Sequence, residues 1–124
     1  MVDITVVGND ARKVADADAT AGMIREAAIV GDNVWAGVVR AAPNRPSGWH
    51  HHGEYDTYIY VRSGSVHFDF GPDGTRTVDA ADGDFIHVPK GVVHREVNPA
   101  DDEATVVLIR VGEGPPVVNV DGPA

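Results

Sequence analysis

The sequence contains no cysteine, which excludes a disulfide framework, a zinc ribbon and a thiol nucleophile and leaves imidazole and oxygen to hold any metal. Positive charge is scarce: 10 Lys+Arg stand against 19 Asp+Glu, a formal charge of −9. A surface of that sign offers no footprint for a phosphate backbone or an anionic bilayer, so neither nucleic acid nor membrane is an expected partner. Long apolar runs are missing too; none approaches the roughly 18 residues that span a bilayer. Asp3 stands where a secretory signal would be basic, and a cytoplasmic protein is the expectation. At 124 residues the chain can bury one core but not two, so residues 1–124 are read as one domain with a motif-bearing core over about 34–111.

Turn chemistry is what the chain has in quantity, with 14 Gly and 8 Pro. Clusters such as Gly31-Asp32-Asn33, Gly71-Pro72-Asp73-Gly74 and Asp82-Gly83-Asp84 separate stretches rich in Val, Ile, Thr and Tyr at intervals of roughly 8 to 12 residues, the signature of an all-β antiparallel sandwich or barrel. Strands are expected over 4–7, 23–30, 34–41, 48–52, 57–62, 66–70, 75–78, 85–88, 92–97 and 105–111. The Ala- and Asp-rich segment 10–20 reads as one helical turn or a loop. The tail 113–124 reads as an arm, strand-like over 117–120, docked on something, a partner subunit being one candidate.

Chemistry concentrates in Trp49-His50-His51-His52-Gly53-Glu54-Tyr55-Asp56-Thr57. Alternation along a strand sends His50 and His52 to one face and His51 to the other. A third histidine follows in Gly83 to Asn98, where a strand ends at Pro89, turns at Gly91 and restarts with His94. This second segment spells Gly83, five residues, Pro89, one, Gly91, two, His94, three, Asn98, and the first places Gly64 after Thr57 with six residues between them. Together they resemble the paired motifs of the cupin superfamily. The resemblance implies an antiparallel jelly-roll barrel in which His50, His52 and His94 bind one divalent ion and Gly64, Gly83, Pro89, Gly91 and Asn98 shape turns. Two positions depart from the pattern. Asn44 stands at the opening glycine, and Asn tolerates left-handed backbone angles. Thr57 stands where many cupins carry a metal-binding glutamate; without it the site keeps three neutral imidazoles, gains a unit of positive charge and opens a coordination position. Asp56 is a possible fourth ligand, and Glu54 another, if a bulge turns either inward.

His51 alternates against His50 and His52, and His67 and His87 alternate against apolar neighbours, so all three are expected to face away from the core. Arg95 and Glu96 follow His94, with Arg95 projecting to solvent or a dimer contact; Arg40 is a candidate anion anchor. Tyr55, Tyr58 and Tyr60 read as strand formers covering sheet or interface, and Trp35 and Trp49 as packing or the lip of a substrate mouth. Thr57 and Tyr60 are the candidate catalytic side chains. Three-His sites in the superfamily support iron-dependent dioxygenases, so the expected function is a dioxygenase-like oxidoreductase acting on a small molecule with adjacent carbonyl, enol, hydroxyl or thiol groups. Iron is the first expected metal, with zinc, nickel, manganese or copper as alternatives. Zinc in the same cage would give isomerase, lyase or hydrolytic chemistry, and a non-catalytic small-molecule binder or sensor is the third reading. A homodimer is expected, paired through an outer sheet face or exchanged N-terminal strands.

Overall fold

The alternation that marks the strands also divides them into two sheets whose apolar faces meet. The computed structural model describes residues 2–15 and 22–123. Its strands are β1 (Lys13–Ala15), β2 (Met23–Val30), β3 (Val34–Ala41), β4 (His50–His51), β5 (Asp56–Ser63), β6 (Ser65–Phe70), β7 (Arg76–Ala81), β8 (Phe85–Val88), β9 (His94–Val97), β10 (Ala104–Val111) and β11 (Val118–Asn119). One sheet runs β1-β2-β3-β10-β5-β8 and the other β11-β4-β9-β6-β7. Neighbouring strands pair antiparallel throughout, giving a jelly-roll barrel. Val39, Ile59, Val61, Val88, Val106 and Leu108 from the larger sheet meet Val66 and Phe68 from the smaller one. Each such side chain removed from water contributes about 1.5–3 kcal/mol before the entropy of ordering it is counted.

Close approach and backbone angle decide two positions. Gly64 joins β5 to β6 at φ +103°, and a Cβ there would stand 2.8 Å from the Cβ of Ala104. Asn44, at the position of the missing glycine, adopts φ +55°, the left-handed conformation its short amide side chain tolerates.

Two expectations are corrected and a third is made specific. Residues 4–7 form no strand; Ile4 and Val6 are 98% and 89% exposed, because β-propensity without a neighbouring strand leaves backbone groups to water. Within 10–20, Lys13–Ala15 is a strand that closes the edge of the larger sheet against Arg25 to Ala27; residues 16–20 lie outside the described residues. The C-terminal arm docks on its own chain, β11 pairing Val118 with His51 and Asn119 with His50.

Candidate metal centre

Strand alternation and one turn assemble the site. His50 on β4 and His94 on β9 are directly paired residues in the smaller sheet, and His52 follows β4 on the same face as His50. The ring centroids of His50 and His94 lie 4.4 Å apart, those of His52 and His94 5.0 Å, and those of His50 and His52 5.2 Å. One nitrogen of each ring lies within 4.8 Å of the other two. All three side chains are buried, His50 completely.

Which nitrogen points inward follows from the hydrogen bonds. The Nδ1 atoms of His50, His52 and His94 lie 2.9 Å from the carbonyl oxygens of Gly48, Pro116 and Val92 respectively. A carbonyl can only accept, so each Nδ1 carries the proton and each Nε2 presents a lone pair. Among the described residues, Nε2 of His50 and of His94 has no hydrogen-bond partner although it is buried. Converging unpartnered lone pairs in a sealed site repel one another, and a cation between them removes the repulsion; the residues therefore fit a divalent ion bound through Nε2. Burial, helped by the positive charge of Arg110 and by His94, pushes the His52 pKa down to about 3. Burial also lowers that of His94, with Glu96 opposing and His50 reinforcing. Neutral rings are the form that binds metal.

Thr57 on β5 is fully buried, and its Oγ1 has no hydrogen-bond partner among the described residues. It shares the wall of a cavity with His52, His94, Arg25 and Arg110. Both arginines also line an adjoining cavity of about 210 Å³ with Trp35 and Tyr55, so the two cavities meet at a guanidinium-bearing wall. The guanidinium of Arg110 lies 5.8 Å from the centre of the Trp35 ring.

Glu96 is the residue the sequence reading passed over as a site member. It is 8% exposed, two positions after His94 on β9 and hence on the same face, and its Oε1 lies 3.5 Å from His50 Nε2 and 4.0 Å from His94 Nε2. Burial pushes its pKa up, but the His50 ring beside it, with His94 and His52 adding to the effect, outweighs burial and holds it at about 2. The signal was available: period-two alternation counted forward from His94 reaches Glu96.

Other candidates lie elsewhere. Asp56 bonds His87 Nε2 at 3.0 Å and the Lys90 amide at 3.3 Å, so its carboxylate is engaged on the outer surface and not at the histidines. Glu54 is exposed in the turn after His52. Tyr60 points outward from the larger sheet against Phe85, ring centroids 4.9 Å apart, because Ile59 and Val61 take the inward positions; it cannot reach the site. Arg40 is engaged by Glu26 at 2.7 Å and is no anion anchor. His51 accepts the Gly53 amide, while His67 pairs with Asp79 and Asp69. Arg95 bonds Asp69 and covers the Trp49 ring at 4.6 Å.

The family model for the cupin domain matches residues 37–110, and no curated protein sequence matches the chain. Among solved structures, the polyketide cyclase RemF from Streptomyces resistomycificus aligns with a TM-score of 0.78 at 25% identity, over 95% of this chain and 86% of that one. A conserved protein with a double-stranded beta-helix domain from Klebsiella pneumoniae aligns at 0.69 and 18% identity, over 80% of each chain. Oxalate decarboxylase from Bacillus subtilis, described with Mn(II) centres, aligns at 0.67 and 23% identity over 80% of this chain; the match spans 28% of that protein's length.

Proposed function

Since this chain belongs to the cupin domain family, we propose that it is a metal-dependent enzyme of small-molecule chemistry, an oxygenase whose divalent ion is held by His50, His52 and His94. One observation carries the reading: three imidazoles, each fixed by a backbone carbonyl with Nε2 inward, converge in a buried site where the Nε2 atoms of His50 and His94 have no hydrogen-bond partner among the described residues. An Fe(II) ion held by three imidazoles would supply redox chemistry toward dioxygen and a chelating substrate. The protein's own contribution is position and environment. Val39, Ile59, Val88 and Leu108 in the cavity wall exclude water, which strengthens every electrostatic contact inside. Arg25 and Arg110 bias the cavity toward a substrate carrying an oxyanion, such as an enolate or carboxylate, and the Thr57 hydroxyl is placed to donate a hydrogen bond to a substrate oxygen.

A second reading, metal-dependent cyclase, isomerase or lyase chemistry without dioxygen, is favoured by the likeness to RemF over 95% of the chain. Elemental analysis of the purified protein, then oxygen-electrode assays on the Fe(II)-loaded form with 1,2-diketones, β-diketones and enediols, tests the first reading. Oxygen uptake with product formation supports it. Turnover of the same compounds under argon by the Zn(II) form supports the second. Ligand binding without turnover in either form leaves a sensor, and absence of any divalent ion at about pH 7.5, where the imidazoles are neutral, overturns both enzyme readings.

We further propose a homodimer. Its support is the outer face of the larger sheet, where Tyr58, Tyr60, Phe85, Ile109 and Val111 are 38–82% exposed and adjacent through the β10–β5–β8 pairing, an apolar patch of the kind that marks interfaces.

A further inference from the structure

We propose that Glu96 is the carboxylate ligand of this centre, supplied from β9 of the second motif in place of the acid that Thr57 replaces in the first. The inference rests on the metal reading above. Two ligand atoms each about 2.1 Å from a tetrahedral ion lie about 3.4 Å apart; the Oε1 atom of Glu96 is 3.5 Å from His50 Nε2 and 4.0 Å from His94 Nε2. The first separation is that of atoms sharing a tetrahedral ion, and the second is about 0.6 Å longer. They are long for the alternative, a direct hydrogen bond between imidazolium and carboxylate, which closes to about 2.7–2.9 Å.

That alternative has a second difficulty. His50 already spends its Nδ1 proton on Gly48, so donating from Nε2 as well would make it a cation, fully buried beside two further imidazoles. A divalent ion on three neutral rings would itself leave two buried positive charges, and the carboxylate halves them. Room for the relocation comes from Thr57, whose short side chain lines the same cavity as Glu96. The Glu96 backbone is pinned on both sides by Ser47, whose Oγ accepts from the Glu96 amide at 3.0 Å and whose amide donates to the Glu96 carbonyl at 2.8 Å. A side chain launched from so fixed a backbone, two residues from His94, meets the histidines without a bulge.

The test compares Zn(II) affinity of wild type, Glu96→Gln and Thr57→Val by competition with a chromogenic chelator, together with the visible spectrum of the Co(II)-loaded forms. Loss of the anionic ligand should weaken Glu96→Gln by more than about 100-fold, beyond the 10–100-fold that losing an outer partner of a ligand costs, and change the Co(II) bands, while Thr57→Val stays within about twofold. The double variant Thr57→Glu/Glu96→Gln should recover most of the lost affinity, because a carboxylate again faces the three rings. Zn(II) affinity of Glu96→Gln equal to wild type overturns the inference but leaves the metal reading standing, whereas a wild type that binds no Zn(II) or Co(II) removes both. Should Glu96→Gln fail to fold, a crystal structure of Zn(II)-loaded wild type decides: an oxygen of Glu96 at 2.0–2.2 Å from the ion supports the assignment, and one beyond about 3 Å refutes it.

Discussion

At the scale of single residues, the site separates groups that could hold an ion from a group that would face it. His50→Ala or His94→Ala removes one of three converging nitrogens and should reduce divalent-metal affinity at least 100-fold in the chelator assay. Thr57→Val is a different experiment. Its hydroxyl is buried without a hydrogen-bond partner among the described residues, so a near-isosteric methyl should leave the metal-free protein unchanged or raise its stability by about 0.5–1 kcal/mol, read as Tm, while lowering kcat on any substrate it contacts. His67 offers a pH handle away from the centre. Its ring lies between Asp79 at 2.7 Å and Asp69 at 2.9 Å, with Arg95 holding the far side of Asp69. Asp79 foremost, and Asp69 after it, raise its pKa above the usual 6.5 against a small opposing effect of burial. The unfolded ring titrates near 6.5, so the imidazolium's stabilisation is fully present below that value and is lost as pH rises through the higher folded value. For a pair this exposed the contribution is at most about 1 kcal/mol. The Tm gap between wild type and His67→Gln should therefore narrow from pH 6 to pH 8; a constant gap would contradict the pairing.

At the scale of elements, the C-terminal arm belongs to the candidate metal centre. The Pro116 carbonyl fixes the His52 ring at 2.9 Å, β11 pairs with β4 on which His50 sits, and the Val120 amide bonds the Trp49 carbonyl at 3.0 Å. Deleting residues 115–124 should leave the far-UV circular dichroism of a β protein and lower metal affinity about 10–100-fold, the usual penalty for losing an orienting partner of a ligand. A truncated protein that binds metal as wild type does would make the arm a mere cover. Most strands were legible because β-branched alternation between Gly, Pro and Asn clusters is a local property, as in residues 23–30 and 34–41, whose bounds the structure reproduces. The exceptions have one cause. Residues 4–7 carry strand propensity without a strand beside them, and Lys13–Ala15 carries little but finds the free edge of β2; pairing partners are a non-local fact.

At the scale of the whole molecule, Tyr58, Tyr60, Phe85, Ile109 and Val111 form the outer apolar face that a homodimer would cover. Light scattering at micromolar concentration should give twice the chain mass of 13.1 kDa, and Phe85→Lys, at 82% exposure, should shift the protein toward monomer without altering its circular dichroism. No helix among the described residues is long and apolar enough to cross a membrane. The β architecture, most turn positions and the shared face of His50 and His52 were legible in the residues alone, because strand alternation and turn chemistry are short-range and repeat at known periods; that His94 joins them, and that Asn44 occupies a glycine position, was legible only through the resemblance to the cupin motifs. What surrounds those rings is set by contacts between segments far apart in the chain. That Pro116 reaches back to His52, that Asp56 is engaged by His87 and that Glu96 stands beside His50 all depend on how distant segments register, and register is set by the packing of the entire barrel.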